Sequence, residues 1–162
     1  MNKLIVFLLF LSSSPVSAET GVAVDVVLRP AGSFKAKTDE VKGEATIEGD
    51  LVQAENIVVK LKNLKTGISL RDKHTTEKYL EVDKYPEAIL ISATGKDGKG
   101  KGKLKIRGIE KDIEGIYRID GNELMADFSI KLSEYGINGI KYMGVGVNDE
   151  VKLHVTVPVN KK

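Results

Sequence analysis

The chain has 162 residues, with 25 Lys and Arg against 23 Asp and Glu and a formal net charge of +2. A sum this close to zero, with both signs spread along the chain, and the absence of Trp and of basic residues interleaved with aromatics argue against a nucleic-acid partner. The absence of Cys excludes disulfides and a lipid attached through cysteine.

The chain starts Met1-Asn2-Lys3, continues through the apolar run Leu4 to Leu11, and reaches Val16-Ser17-Ala18 ahead of Glu19. A basic start, a short apolar core and small residues at a cleavage point make residues 1–18 a secretory signal peptide, and the run is too short to span a bilayer. Residues 19–162 then form one domain, within the ordinary size range and able to bury a core without staples. The mature protein is expected to be periplasmic or secreted.

From Val22 onward apolar and polar residues alternate in segment after segment, the period-two signature of strands with one buried face. Val22, Val24, Val26 and Leu28 share a face, and Arg29 to Gly32 turns the chain. Phe34 and Ala36 resume an inner face, followed by Val41, Gly43, Ala45 and Ile47. Gly49-Asp50 is the next turn, after which Ile57, Val59 and Leu61 alternate with Asn56, Val58 and Lys60.

The alternation then stops. Ser69, three residues before Asp72, has the spacing of a helix N-cap; Tyr79-Leu80 supply an apolar end, and Tyr85-Pro86 stops the segment. A short helix near residues 70–80 is therefore expected between two strands as a lid, with Arg71, Asp72, His74, Tyr79 and Leu80 as its functional residues.

After Pro86, Ile89, Ile91 and Ala93 take one side of a strand and Leu90 intrudes on the other, which implies that the lid covers this strand from outside. Gly95 to Gly102 carries Lys at alternate places and reads as a flexible hairpin loop. Leu104 and Ile106, then Ile113, Gly115, Tyr117 and Ile119, are inner faces, and Asp120-Gly121-Asn122 is a tight turn. Leu124, Ala126, Phe128, Ile130 and Leu132 form the cleanest inner face; Val151, Leu153, Val155, Val157 and Val159 close the chain after a glycine-rich stretch from Gly136 to Gly146. About eight strands with hairpin-like spacing make the chain all-β, either an antiparallel sandwich or an up-and-down barrel, and alternation alone does not separate the two.

Little in the chain points to catalysis. His74 and His154 are the only histidines, and neither has the second His or the Cys that metal-ligand spacing supplies, so no metal is expected. No Gly-x-Ser-x-Gly turn marks a nucleophile; no catalytic residue and no required cofactor is assigned. His154, on the polar face of the last strand, reads as an ordinary outward residue. The Gly95 to Gly102 stretch leads into a strand, whereas a phosphate loop leads into a helix N-terminus, although its lysines suit anionic head groups at a membrane surface. Small residues at Gly43, Ala45, Ala93, Gly108, Gly115 and Ala126 stand where a filled core would take larger side chains. In a barrel of about eight strands they are consistent with a ligand cavity or with tapering of the strands.

The string T-G-I-S-L-R-D-K-H ending at His74, then K-Y-L-E-V-D-K-Y-P-E-A ending at Ala88, and later Gly102-x-Leu104-x-Ile106-x-Gly108, resembles the YceI family of exported, lipocalin-like polyisoprenoid-binding proteins. The resemblance spans nearly the whole mature chain and implies a single antiparallel up-and-down barrel of about eight strands. It further implies an interior occupied by a long-chain isoprenoid lipid, a quinone tail or prenyl alcohol, held by sequestration. Joined to the strand faces, this makes the expected lining Phe34, Ala45, Ile47, Ile57, Val59, Leu61, Ile89, Ile91, Leu104, Ile106, Ile113, Gly115, Tyr117, Leu124, Ala126, Phe128 and Ile130. The competing expectation is a structural or protein-interaction β-module with a filled core. Transient contact with a membrane surface is a further expectation; the oligomeric state is not legible.

Cleavage after Ala18 should give a mature protein beginning Glu19-Thr20, and the intact mass of the exported protein should equal that of residues 19–162. A mass that retains Met1 to Ala18 contradicts the export reading.

Overall fold

The computed structural model describes residues 19–162; the expected signal peptide, residues 1–18, lies outside the described residues. The chain is all-β apart from short helical turns. The first half supplies β1 (Gly21–Arg29), β2 (Ser33–Thr38), β3 (Val41–Lys42), β4 (Ala45–Glu48) and β5 (Leu51–Lys60). Helix α1 (Ser69–Lys73) follows and widens into a π-helical segment, His74–Tyr79. Then come β6 (Glu87–Lys96), β7 (Lys99–Ile106), β8 (Ile109–Asp120) and β9 (Glu123–Lys131), and a single 3-10 turn, Leu132–Tyr135. The small hairpin β10 (Lys141–Tyr142) and β11 (Val145–Val147) and the long β12 (Glu150–Lys161) complete the fold.

Strand β12 closes the barrel. Along one edge it pairs antiparallel with β9 from Glu150 opposite Lys131 to Pro158 opposite Glu123. Its other edge is divided: residues 152–156 pair antiparallel with β1, and Val159 to Lys161 pair parallel with β4. The ring β12-β4-β5-β6-β7-β8-β9 therefore contains seven strands, against the expected eight or so, and one of its pairings is parallel. The difference arises because the β1–β2 hairpin does not sit in the ring over its full height. It wedges between β12 and the rest at one end only, where β2 is held at Lys37 by a two-way backbone bridge to Lys65.

Two bulges re-aim the inner faces. In β6 the pairing with β7 slips between Leu90 and Ser92, leaving Ile91 as an extra residue. An extra residue reverses which parity points inward. The inner residues of β6 are thus Ala88 and Leu90 below the bulge and Ala93 and Gly95 above it, with Ile89 and Ile91 half-buried on the other side. The expected assignment of Ile89 and Ile91 to the interior is corrected by this slip, and Leu90 is no intruder. Strand β5 bends at the same level: Asn56 takes a φ of 51°, and Val52 and Ala54 hand the inner face to Ile57, Val59 and Leu61.

The Gly95 to Gly102 stretch is not a flexible loop. It is strand up to Lys96 and again from Lys99, joined by a two-residue turn in which Asp97 and Gly98 have φ of 52° and 78°. Asp-Gly is the residue pair that such a type I′ hairpin favours. Arg107-Gly108 repeats the geometry between β7 and β8, so Gly108 is a turn residue and not part of an inner face.

On the outer wall, His154 is more than an ordinary surface residue. Its Nδ1 contacts Asp127 Oδ1 at 2.5 Å straight across the β9–β12 pair, and its Nε2 contacts Asp25 Oδ2 at 2.8 Å on β1. Lys35 on β2 adds an ion pair to Asp25 at 2.9 Å. One imidazolium thus ties together the two strands that flank β12. The hydrogen bond to Asp25, then that to Asp127, raises the His154 pKa, and His154 in turn, followed by Lys35, lowers that of Asp25.

The signs of these shifts set a pH window. The raised His154 contributes stability in full below its unfolded value of about 6.5, and loses it as pH rises through the higher folded value. The lowered Asp25 contributes above its unfolded value of about 3.9, and loses it as pH falls through the folded one. Both terms are complete between about pH 4 and 6.5. The urea midpoint of the native protein should therefore fall from pH 6 to pH 9, and His154→Gln should flatten that fall. Parallel pH profiles for the two proteins would show that the imidazolium bridge contributes nothing.

Candidate functional site

The inner faces of the ring enclose an apolar cavity of about 630 Å³, inside the range of roughly 300–1,000 Å³ that ligand pockets occupy. Val22, Val24 and Val26 of β1, Leu124, Ala126, Phe128 and Ile130 of β9, and Leu153, Val155 and Val157 of β12 make one wall. Ala54, Ile57, Val59 and Leu61 of β5, Ala88 and Leu90 of β6, and Leu104 and Ile106 of β7 make the facing one. The volume stays open because small residues recur at inner positions: Ala36, Ala45, Ala54, Ala88, Ala93 and Ala126, with Gly95, Gly100 and Gly102.

The glycines of β6 and β7 have a specific partner. A Cβ on Gly95 would lie 2.5 Å from Tyr117 Cε1, and one on Gly100 would lie 3.8 Å from Tyr117 Cδ1. The Tyr117 ring occupies the space that a side chain on Gly95 would need, and it shapes the end of the cavity away from the lid.

At the other end α1 and the π-helical segment lie across the opening, facing the β10–β11 hairpin. Ile68, Leu70, Arg71, His74, Thr75, Tyr79 and Leu80 border the cavity on the lid side, and Tyr142, Met143 and Val145 on the hairpin side. The two sides meet where the His74 and Tyr142 rings stand edge-on, 6.0 Å between centroids and 62° apart.

Polar contacts anchor the lid. Ser69 is the first residue of α1 and makes no cap; Ile68 occupies the N-cap position with no side-chain hydrogen bond. Asp72 instead accepts hydrogen bonds on Oδ1 from both the backbone N–H and the hydroxyl of Thr66, each at 2.6 Å, which lowers its pKa. Arg71 donates to the Thr66 carbonyl at 2.6 Å and lays its guanidinium 3.9 Å above the Phe34 ring. Past the π-helical segment, Glu81 pairs with Arg107, whose Nη1 also donates to the carbonyls of Tyr135 at 3.1 Å and Gly136 at 2.7 Å. The lid is thus held at both ends, to the loop before it and to the β7–β8 turn after it.

Most of the expected site residues come together. Phe34, Ala45, Ile57, Val59, Leu61, Leu104, Ile106, Ile113, Gly115, Tyr117, Leu124, Ala126, Phe128 and Ile130 border the cavity, as do Arg71, His74, Tyr79 and Leu80 of the lid. Ile47, Ile89 and Ile91 do not. Ile47 packs against the buried cluster that includes Ala45, Val52 and Val159 without reaching the cavity, and the other two are turned outward by the bulge. Asp72 also stands outside, occupied with Thr66. The mouth residues Ile68, Leu70, Tyr142, Met143 and Val145 were not foreseen, although apolar side chains inside a glycine-rich stretch are a visible signal.

Among the described residues the polar side chains that border the cavity are few, with Thr38, Arg71, His74, Thr75 and Thr94 among them. The Asp25–His154–Asp127 chain is on the outer wall with a carboxylate on each ring nitrogen, so no nitrogen is left for a serine hydroxyl and the carboxylates do not share a point. Among the described residues no cluster of His, Asp or Glu is arranged to hold a metal ion. Tyr135, 1% exposed, belongs to the buried cluster that holds Val26, Ile106, Ile137 and Val151, and its hydroxyl has no hydrogen-bond partner. Burial, and then the charge of Glu134, pushes its pKa up to about 12.

Comparison with known proteins gives one family and several solved structures. The sequence matches the YceI-like domain over residues 15–159. The fold is similar to the crystal structure of Burkholderia cenocepacia BcnA, at 14% identity and a TM-score of 0.59 over 84% of this chain and 96% of that one. A polyisoprenoid binding domain from Saccharophagus degradans, implicated in plant cell wall breakdown, is similar at 13% identity and a TM-score of 0.57, over 85% of this chain and 91% of that one. A mutant CJ YceI protein with a monobromobimane guest is similar at 19% identity and a TM-score of 0.53, over 75% and 81% of the two chains. No curated protein matches the sequence closely enough to count as a relative.

Tyr135→Phe should raise the urea midpoint, because an orphaned buried hydroxyl carries a desolvation cost of about 1–3 kcal/mol that the phenyl ring avoids. A lowered midpoint would show instead that the hydroxyl is hydrogen-bonded.

Proposed function

The chain belongs to the YceI-like domain family, and from that premise and the apolar cavity we propose that it sequesters or carries a long-chain isoprenoid lipid, a quinone tail or a prenyl alcohol, in the periplasm. The observation that carries this reading is an enclosed volume whose bordering side chains are overwhelmingly aliphatic or aromatic and whose mouth is apolar as well. A chain of repeating methyl-branched units asks for such walls and for no polar partner along its length. The polyisoprenoid binding named for the Saccharophagus degradans domain supports the same ligand class. The residues that border the cavity are the proposed ligand contacts, with Tyr117 at the far end and the lid over the mouth.

The energetics suit a carrier. Burying a chain from water is worth about 0.8 kcal/mol per CH₂, so roughly twenty carbons come to about 16 kcal/mol, close to the ceiling of non-covalent affinity. A lipid drawn from a bilayer leaves surroundings as apolar as the cavity, so uptake and release are nearly balanced. Selectivity then follows from the length and width of the cavity. The chemistry is binding, with no step of bond making assigned to any residue.

Ala126→Phe tests this. Ala126 lies between Leu124 and Phe128 on the inner face of β9, opposite Tyr117 on β8, and its Cβ borders the open volume. The ring should displace ligand, reducing retention of a radiolabelled prenyl alcohol several-fold, while the delipidated protein keeps its urea midpoint. In a filled core the same change overpacks and costs typically about 1–3 kcal/mol. Strong destabilisation, together with no prenyl alcohol retained by the unmutated protein, would reject the carrier reading.

A further inference from the structure

Of the five large apolar side chains more than half exposed among the described residues, four gather in one place, and the fifth, Ile116 at 60% on β8, pairs with Lys99 at the far hairpin. Met143 is 85% exposed, Tyr142 58%, Ile68 54% and Leu70 52%, and all four border the cavity mouth, two on each side of it. Contiguous exposed apolar surface on a soluble domain marks a contact site. Around it stand exposed lysines: Lys65 and Lys73 on the lid side and Lys141 at the start of β10. The hairpin lysines singled out in the sequence, on either side of Asp97-Gly98, are at the opposite end of the barrel, since β6 runs from the lid end to that turn. An apolar tip with a basic fringe fits a bilayer surface carrying anionic lipids, into which the tip inserts while the lysines meet head groups.

We infer that the rim formed by Ile68 and Leu70 on the lid and Tyr142 and Met143 on the β10–β11 hairpin docks on an anionic lipid bilayer, mouth down. The inference rests on the carrier reading for its purpose: a docked mouth makes the apolar path from membrane to cavity continuous, so that a chain passes without exposing each CH₂ to water. The His74–Tyr142 contact spans the mouth between the two halves of the rim, and its separation opens the path. Docking through two short elements also leaves the barrel wall, with its Asp25–His154–Asp127 bridge, undisturbed.

The test is flotation of the delipidated protein with vesicles of phosphatidylglycerol and phosphatidylcholine, against vesicles of phosphatidylcholine alone. The unmutated protein should float with the anionic vesicles and lose this as salt rises. Ile68→Asp/Met143→Asp should lower the bound fraction about tenfold, whereas Lys99→Glu at the far hairpin should change it little, with circular dichroism confirming that each variant folds. Failure of the unmutated protein to float, or equal binding by the double aspartate variant, overturns the inference. So does a dimer that the double variant dissolves in the absence of vesicle binding, since the rim would then belong to a second copy. Prenyl alcohol retention, measured separately, decides the carrier reading: retention without flotation leaves that reading standing and removes only the docking.

Discussion

Closure of the ring by β12 is the constraint on which the rest depends. A strand that ends with an unpaired edge must be covered or must pair with something, and β12 resolves this by dividing one edge between β1 and β4 while giving the whole of the other to β9. With the ring closed, its circumference is fixed by backbone hydrogen bonds and not by the side chains inside. The interior can then remain partly empty, because the walls are held by the ladder and by the outer bridge at His154. An open sandwich with so many alanines and glycines on its inner faces would collapse until its two sheets touched. Here Ala45, Ala93 and Ala126 face a volume that collapse cannot remove.

Polarity is distributed to match. The charged and hydroxyl groups of the lid are engaged with one another and with backbone: Asp72 with Thr66, Arg71 with a carbonyl and an aromatic face, Glu81 with Arg107. They hold the lid over the opening, and only the Arg71 Nε among these groups is left buried beside the cavity without a partner. A lid built this way is tied at its two ends by polar contacts, and between them a π-helical segment replaces ordinary helical hydrogen bonding from His74 to Tyr79. Irregularity of this kind is often found at functional positions. It places the irregular backbone of the lid beside the His74–Tyr142 ring contact that bridges the mouth.

The strand faces were legible because burial on one side only leaves a period of two; β12 carries it without interruption, and β8 and β9 depart from it only at Lys111, Ile116 and Met125. The bulges were not legible. Ala88 to Ala93 reads A-I-L-I-S-A, and in such a run either parity is a credible inner face; the slip at Ile91 is a property of pairing with β7 and leaves no local mark. The turn at Asp97-Gly98 did leave one, but the glycines around it suggested a loop, when Gly95 and Gly100 are strand residues, the first kept small by the Tyr117 ring. His154 looked like a surface residue because its partners lie 27 and 129 positions away, out of reach of any local pattern. The Ser69 cap failed for a related reason: Asp72 had a better donor in Thr66, which offers both an amide and a hydroxyl. Seven strands in the ring and not eight follow from the partial wedge of β1 and β2, a matter of long-range pairing that no local pattern carries.

The central claim is that the cavity holds a lipid chain in the protein as the cell makes it. Purification of the exported protein without detergent, extraction with organic solvent and mass spectrometry of the extract test it most directly. The account predicts an isoprenoid species, recognised by masses differing by whole isoprene units, at a substantial fraction of the protein's molar amount. An extract with no such species, from protein that unfolds cooperatively and whose interior also excludes added prenyl alcohol, would contradict it.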